Sequence, residues 1–244
     1  MSRQPQVALP PPALLDRSAA IGVVAALSAE ARSCAAWREF GNLNLIIAGP
    51  GPLRAAAAAR RLVAAGVRAL VSWGTSGALN EQLRPGQLLL VQQTRASDGP
   101  PYTADAHLLQ RFSRCLEGLK PLPIAALTLA RPVLHRHEKL LLAQRHHCAA
   151  VDMESAAVAQ VAGEAQLPFL AVRSIVDPLA FDIPAAATAG MGENGEPRPL
   201  RVIQALLRRP RDLPAVLRLG LYYRTALATL TQAASTLARS ELSR

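Results

Sequence analysis

The sequence predicts an α/β fold: a three-layer αβα sandwich around a mixed, mostly parallel sheet, with a C-terminal helical annex. Its 244 residues, half of them hydrophobic, suffice for one large domain with a sizeable core. Residues 19–27 form an apolar run directly before a helix start, as expected of a buried first strand. Residues 168–177 form a second apolar run that ends in a carboxylate, and α/β sheets present ligand-binding acids in this way.

We divide the chain into three parts. Residues 1–18 are interrupted by prolines and lack a long apolar core, so we predict a disordered leader rather than a signal peptide. Residues 19–199 are predicted to form the α/β domain. Residues 200–244 are predicted to form basic amphipathic helices packed on the same domain, since no apolar stretch there approaches the ~20 residues that span a bilayer.

The first half of the predicted domain alternates strands with helices. A helix is expected from Ser28, its N-cap, and another over residues 53–65. Further strands are expected at residues 44–48, 69–73 and 87–92. Two glycine-rich stretches follow strands, at residues 49–52 and 74–79, and both indicate turns.

The second half continues this alternation. Helices are expected at residues 105–119 and 151–159, and strands at 124–129 and 168–177. Pro178 disfavours the helical conformation at Asp177, which keeps this acid at the rim of the last strand. Residues 181–199 contain glycines and prolines and are predicted to be a flexible cover over a site.

Charge and composition narrow the possible partners. The net charge of +10 would suit nucleic acid or an anionic membrane. Aromatic residues make up only 4% of the chain and no nucleic-acid motif occurs, so we expect no nucleic-acid partner. The cysteines and histidines lack the spacing of metal ligands, and we expect no metal site and free thiols in the cytoplasm.

Three acids are candidates for chemistry. Glu30 and Glu154 each lie in a predicted first helical turn, where a carboxylate could simply favour the positive end of the helix dipole. Asp152 and Ser155 have the same ordinary explanation at a helix start. The pairing of Glu154 with Asp177, at the end of the next strand, favours a ligand site instead.

These stretches carry a family resemblance. VDMESAAVA at residues 151–159, PFLAVRSIVD at 168–177 and IGVVAALSAE at 21–30 resemble the signature of the purine nucleoside phosphorylase and adenosyl nucleosidase superfamily, in particular its methylthioadenosine/adenosylhomocysteine nucleosidases. The resemblance implies an enzyme that cleaves the N-ribosidic bond of an adenosyl compound and releases adenine. No cofactor is implied.

The resemblance also assigns roles to acids. Asp177 would protonate the purine at N7, and Glu30 would activate the attacking water. Glu154 would hold the ribose hydroxyls, with Met153 beneath the sugar.

Further site residues are implied by position. Thr75, and after it Ser76, would face the ribose. Val133 lies where the related nucleosidases stack a Phe on the adenine. Arg173, together with Arg54, could support an anion, so inorganic phosphate stays open as a co-substrate. We nevertheless favour water as the nucleophile, because Glu30 would repel incoming phosphate.

The C-terminal helices carry a narrower resemblance. ALLRRPRDLPAVLRLG at residues 205–220 resembles the hopanoid-associated branch of this superfamily, which removes adenine from adenosylhopane. Apolar residues at helical spacing on both sides of Pro210, flanked by arginines, predict peripheral binding of residues 200–225 to the anionic inner face of the cytoplasmic membrane. The alternative is a packed helical cap, such as one at a subunit interface, and we expect a homo-oligomer.

Three functions therefore remain open. The first is cleavage of adenosylhopane, and the second is a soluble nucleosidase for small thioethers such as methylthioadenosine. The third is a basic nucleic-acid-binding or membrane-binding module that has the fold without the chemistry. Release of adenine from adenosyl compounds separates these three functions.

Overall fold

The computed structural model describes residues 21–40, 43–188 and 199–242. The predicted leader at residues 1–18 and most of the predicted cover therefore lie outside the described residues. Eight strands occur in the described part of the chain: β1 (Ile21–Ala25), β2 (Leu43–Ile47), β3 (Ala69–Ala78), β4 (Leu88–Ala96), β5 (Pro101–Thr103), β6 (Leu122–Thr128), β7 (Ala150–Asp152) and β8 (Phe169–Ile175).

The helices in the same residues are α1 (Ser28–Ser33), α2 (Ala35–Phe40), α3 (Pro52–Ala64), α4 (Ala106–Cys115), α5 (Arg136–His146), α6 (Ser155–Glu164), α7 (Ala185–Thr188), α8 (Pro199–Arg208) and α9 (Leu213–Leu242). Sequence explains several of their ends. Pro52 takes the first position of α3, where its missing N–H is no loss, and the side chain of Asp105 caps α4 by accepting from the Leu108 amide at 2.8 Å.

The sheet is organised around β3. Strands β1 and β8 run parallel to it on either side, and its last residues, Gly77 and Ala78, pair antiparallel with β7. Strand β8 also pairs antiparallel with β4, β4 pairs parallel with β6, and β6 pairs parallel with β7. The predicted mixed sheet is confirmed, and five of its strands, β3, β8, β4, β6 and β7, close into a ring that the sequence did not predict.

Helices cover both faces of the sheet, as predicted. On one face, α2 and α4 bring Trp37 and Phe112 into ring contact, and Trp37 also meets Trp73 of β3. On the other face, α3 and α6 bury mostly alanine and valine, and these small side chains let the two helices lie close to the strands. The tryptophans thus lie in one layer of the core, whereas the helices of the other layer contribute mainly small side chains.

Three predictions about secondary structure are corrected. Residues 74–78 do not form a turn but continue β3, because Thr75 and Ser76 pair with Ser174 and Ile175 of β8. Residues 150–152 form strand β7, so the helix predicted over 151–159 begins only at Ser155. The first helix starts at Ser28 with Leu27 as its N-cap, so Ser28 is not the cap.

Candidate active site

The predicted site residues meet around the end of β3. Thr75 lies on β3, Glu30 in α1, and Arg173 on β8, directly beside β3. Glu154 is the N-cap of α6, and Asp177 follows β8 by two residues. The three acids and Arg173 are all buried. Folding therefore concentrates three carboxylates in a region where charge is costly without compensation.

Glu30 is held by the backbone on two sides. Its Oε1 accepts from the amide and the hydroxyl of Thr75, both at 2.8 Å, and its Oε2 accepts from the Leu27 amide at 3.0 Å. Burial raises the pKa of Glu30, and this effect outweighs the hydrogen bonds from Thr75 and the attraction of Arg173. A fixed carboxylate with a raised pKa is suited to accepting a proton.

Two glycines of β3 make room for the acids. A Cβ on Gly74 would lie 2.8 to 2.9 Å from the Glu30 carboxylate, and one on Gly77 would lie 3.0 Å from Oδ2 of Asp177. Any other residue at either position would displace the carboxylate. The glycines that predict a turn in the sequence therefore have another role: they allow acid side chains to approach the strand closely.

The side-chain carboxylate of Glu154 lies at the start of α3. Its Oε1 accepts from the Gly51 amide at 3.0 Å, and its Oε2 lies 4.0 Å from Nη2 of Arg173. Burial raises the pKa of Glu154 to about 7; Arg173 opposes the shift, and the charges of Asp152 and Glu30 add to it. A protein carboxylate thus binds the helix-start amide at which an anion could be expected.

Arg173 lies beneath the acids in a network of protein groups. Its Nε donates to Oδ2 of Asp152 at 3.0 Å, and its Nη2 donates to the hydroxyls of Ser72 at 2.6 Å and Ser155 at 2.9 Å. Although burial raises the pKa of Asp152, Arg173 and hydrogen bonds from Ser155 and Thr128 hold it below its ordinary value. Substrate contact by Arg173 stays a prediction, since these contacts are within the protein.

Asp152 makes contacts around Glu154 that the sequence analysis does not predict. Besides pairing with Arg173, its Oδ1 accepts from the amides of Glu154 at 3.1 Å and Ser155 at 3.0 Å, and from the Thr128 hydroxyl at 2.8 Å. It therefore caps α6 and fixes the backbone of Glu154. In the sequence, a capping acid two residues before a second acid is the signal for this arrangement, but by itself it predicts only a helix start.

Asp177 has a partner that the sequence did not indicate. Nζ of Lys139, in α5, lies 2.5 Å from Oδ2 of Asp177, and the lysine side chain is fully buried. Burial raises the pKa of Asp177, and Lys139 opposes this shift. The sequence signal was compositional: of 27 basic residues only Lys120 and Lys139 are lysine.

The remaining predicted residues have no polar contact with the three acids among the hydrogen bonds and ion pairs described above. Met153 is half-buried beside Glu154. Ser76 is buried, and its hydroxyl has no hydrogen-bond partner among the described residues. Val133 packs in an apolar cluster with Leu79 and Val151. Arg54 lies half-buried in the first turn of α3. Roles for these residues at a ligand stay predictions.

Helix α9 borders the site. The ring of Tyr222 meets Phe181, four residues after Asp177, edge to face with centroids 5.5 Å apart. Burial, and after it the negative charge of Glu30, raises the pKa of Tyr223. The C-terminal helix thus brings Tyr222 to Phe181 and Tyr223 close enough to Glu30 to feel its charge.

Metal ligation is not apparent in the described part of the chain. Within residues 21–40, 43–188 and 199–242, no three His, Cys, Asp or Glu side chains are grouped so that they could hold a metal ion. The histidines at 135 and 137 stack on each other, with ring centroids 5.8 Å apart.

Comparison with solved structures matches this fold. The futalosine hydrolase of Helicobacter pylori strain 26695 is 14% identical, with a TM-score of 0.69 over 91% of this chain and 98% of that chain. The 5'-methylthioadenosine/S-adenosylhomocysteine nucleosidase of Neisseria meningitidis, in complex with methylthio-immucillin-A, is 15% identical, with a TM-score of 0.68 over 91% and 99%. The S-adenosylhomocysteine nucleosidase of Streptococcus pyogenes is 19% identical, with a TM-score of 0.68 over 91% and 97%. At such low identities, the TM-scores and coverage show a shared fold.

Comparison by sequence places the chain in a family. No curated protein matches the sequence. A model of the Phosphorylase superfamily, however, matches residues 39–208, which include Glu154, Asp177 and Lys139. The predicted class of enzyme is thus confirmed at the level of the superfamily: the chain belongs to the Phosphorylase superfamily.

Proposed function

We propose that the protein cleaves the N-ribosidic bond of an adenosyl compound and releases adenine. The observation that carries this proposal is the burial of Glu30, Glu154 and Asp177 around one strand end, each fixed by a hydrogen bond or an ion pair. Departure of adenine leaves an oxocarbenium-like ribosyl centre, and carboxylates stabilise such a centre in a site with little water. The neighbouring nucleosidase structures support the same class of reaction.

Each acid has a distinct task in this scheme. Asp177 gives a proton to N7 of the adenine, so that the purine leaves as a neutral base. Glu154 accepts hydrogen bonds from the ribose hydroxyls and stabilises the positive charge of the sugar. Glu30 takes a proton from the attacking water, which its raised pKa favours.

We favour water over phosphate as the nucleophile. The Gly51 amide at the start of α3 donates to Glu154 rather than pointing to open space. The guanidinium of Arg173 donates to Asp152, Ser72 and Ser155. A phosphate dianion would therefore meet two carboxylates and an arginine already occupied by protein groups, which disfavours its binding.

For the substrate we propose an adenosyl lipid, with adenosylhopane as the best candidate. Tyr222 and Tyr223 border the site, and the same helix then carries Leu213, Leu217 and Leu221 at i, i+4 and i+8 with exposures of 46%, 61% and 60%. Leu207 of α8 is 79% exposed. An apolar 5′ substituent would extend from the site over these exposed leucines. A water-soluble thioether would require no such surface, and the exposed leucines therefore favour a lipid substrate.

The same face would bring the enzyme to its substrate. We use the term C-terminal arm for residues 199–225, which hold these leucines and six exposed arginines: Arg201, Arg208, Arg209, Arg211, Arg218 and Arg224. Leucines flanked by arginines fit the interface of an anionic membrane. None of the described helices has the length and apolarity that a membrane span requires. Residence at the inner face of the cytoplasmic membrane follows as part of this proposal.

A panel of substrates tests the proposed function. We expect adenine release from adenosyl compounds, with kcat/KM rising as the 5′ substituent changes from methylthio to a long alkyl and then to a polycyclic group. Turnover should be independent of inorganic phosphate and should place ¹⁸O from labelled water on the sugar. Formation of a sugar 1-phosphate would replace hydrolysis by phosphorolysis, and a preference for methylthioadenosine would favour the soluble nucleosidase. Absence of adenine release from every compound would refute the proposed function.

A further inference from the structure

We propose that Lys139 is a positioning residue for Asp177, which fixes the carboxyl group and limits how tightly it holds its proton. This inference rests on the proposed function, in which Asp177 is the acid for the leaving adenine. It concerns a side chain on α5, an element that the sequence reasoning did not connect with the site.

The contacts of Lys139 form a tripod. Its Nζ lies 2.5 Å from Oδ2 of Asp177, 3.1 Å from the Pro178 carbonyl oxygen and 3.0 Å from the Phe181 carbonyl oxygen. An ammonium group has three N–H donors, so each of them has an acceptor here. All three acceptors belong to the segment that follows β8, and Lys139 therefore fastens both the acid and the loop that carries it.

Strand β3 also contacts Asp177. The strand β3 approaches it at Gly77, where a Cβ would lie 3.0 Å from Oδ2. The backbone oxygen of Asp177 accepts from the Ala78 amide at 2.8 Å. Oδ2 of Asp177 thus lies close both to the glycine backbone of β3 and to a buried ammonium group, and these contacts restrict the direction of the carboxyl group as well as its charge.

The charge of Lys139 has a second consequence. Burial alone raises the pKa of Asp177, and Lys139 is the charged side chain that opposes this effect. The next acid on the loop, Asp182, is exposed and accepts from the Arg136 amide at 2.6 Å instead. Without Lys139, Asp177 would bind its proton more tightly and would be a weaker acid toward N7.

The proton balance is simple. As the C1′–N9 bond breaks, its electron pair goes to the purine, and the Asp177 proton moves to N7. Asp177 becomes a carboxylate that the Lys139 ammonium stabilises at once. The water oxygen forms the new bond to C1′ while Glu30 takes a proton from that water. After the products leave, solvent returns a proton to Asp177, and Glu30 releases its proton to solvent.

Kinetics of four variants test the inference. Lys139→Met removes the charge at similar length, Lys139→Arg keeps it, and Asp177→Asn removes the acid. Lys120→Met is the matched control, because Lys120 is the other lysine and is exposed. We expect Lys139→Met to lower kcat roughly 10- to 100-fold, less than the full scale of general acid catalysis. KM should change little, and Lys120→Met should behave as wild type.

The pH profile distinguishes positioning from a structural role. Activity should fall at alkaline pH as Asp177 loses its proton, and this limb should move to higher pH in Lys139→Met, because the group that lowers the pKa of Asp177 is gone. Lys139→Arg should restore most of the wild-type limb. A profile of Lys139→Met that coincides with wild type would overturn the inference.

A double variant guards against a trivial loss of folding. Removing both partners leaves no unpaired buried charge, so Lys139→Met/Asp177→Asn should fold at least as well as Lys139→Met in urea unfolding. Its kcat should equal that of Asp177→Asn alone, because Lys139 acts only through Asp177. A double variant whose kcat is lower than that of Asp177→Asn alone would contradict this prediction. Absence of adenine release by the wild type would refute the proposed function itself. That result is distinct from an unchanged pH profile or a slower double variant, which would contradict only the role of Lys139.

Discussion

The acid cluster and the C-terminal arm use charge in opposite ways. Around β3, Glu30, Glu154 and Asp177 are buried, and each is tied to a backbone amide or to Lys139. In the arm, the arginines are exposed and lie among exposed leucines. Burial of a charge is tolerated only with specific partners, so the carboxylates of the cluster are held at fixed positions, as the proposed chemistry requires. An exposed basic and apolar surface is suited to reversible binding.

Helix α9 contains both kinds of surface. Its first part carries Leu213, Leu217 and Leu221 outward, whereas from Ala226 onward its inward face is buried. Those buried residues are part of the core beside Trp37: Leu230, Ala233, Ala234 and Leu237. The arm is therefore anchored in the fold, and one continuous helix joins it to the acid cluster.

The largest effect should come from the acid itself. We expect Asp177→Asn to bind substrate normally but to lose on the order of 10²–10⁴-fold in kcat, the scale of general acid catalysis. The matched control is Asp182→Asn, which changes an exposed acid on the same loop. Steady-state kinetics measure both. Near-normal turnover by Asp177→Asn would remove it from the mechanism.

A smaller loss of kcat should follow when a side chain is added to β3 at Gly74. Gly74→Ala places a methyl group 2.8 to 2.9 Å from the Glu30 carboxylate, so Glu30 must move, and we expect kcat to fall roughly tenfold or more and stability to fall by about 1–3 kcal/mol. Gly163→Ala in α6 is the control: nothing lies within 4 Å of its added Cβ, and it should stabilise by about 0.5–1 kcal/mol. Equal urea midpoints for the two variants would contradict the assigned close approach.

Glu154→Gln should trade activity for stability. The folded pKa of Glu154 is about 7, above its ordinary value of 4.5, so the folded chain binds this proton more tightly than the unfolded chain. The resulting stabilisation is complete below pH 4.5 and is lost as the pH rises through about 7. Glutamine imitates the protonated form, and its oxygen can still accept from Gly51.

We therefore expect Glu154→Gln to be more stable than wild type at about pH 8, by on the order of 1–3 kcal/mol, with the gain shrinking toward pH 4.5. Both ribose affinity and kcat should fall. Thermal unfolding across this pH range checks the stability, and a variant less stable than wild type at the alkaline end would show that Glu154 is not strained by burial.

The arm should have the smallest effect on chemistry. Replacing Arg208, Arg209 and Arg211 with Gln should weaken cosedimentation with anionic liposomes roughly 100-fold at low salt, since each arginine contributes about 1 kcal/mol before screening. Cleavage of a water-soluble adenosyl substrate should not change. A second triple variant with the same loss of charge, at the exposed residues Arg38, Arg68 and Arg114, serves as the control.

Two results would reassign the arm. Equal loss of liposome binding in both triple variants would mean a general charge effect. If the wild type ignores anionic liposomes and its sedimentation changes when Leu217 and Leu221 are replaced by Ser, the exposed leucines bind a second copy of the chain instead.

The sequence predicts strands and helices well where hydrophobic patterns are strong, as in β1 and β8. It failed at residues 74–78, because a glycine that admits a neighbouring carboxylate looks the same as a glycine in a turn. The acids were found through their motifs. Lys139 and Asp152 were missed, since their importance depends on which partners the fold brings within 3 Å, across 38 residues for Lys139 and Asp177 and 21 for Asp152 and Arg173.

The division of labour between the acid cluster and the arm is tested most directly by one comparison of adenine release. The same adenosyl lipid is presented in anionic vesicles and as a short-chain, water-soluble analogue, to wild type, Asp177→Asn and the Arg208, Arg209 and Arg211 triple variant. We predict that Asp177→Asn loses activity on both substrates, whereas the triple variant loses activity on vesicles alone. Equal activity of the triple variant and wild type on vesicles, or retained cleavage of the soluble analogue by Asp177→Asn, would contradict it.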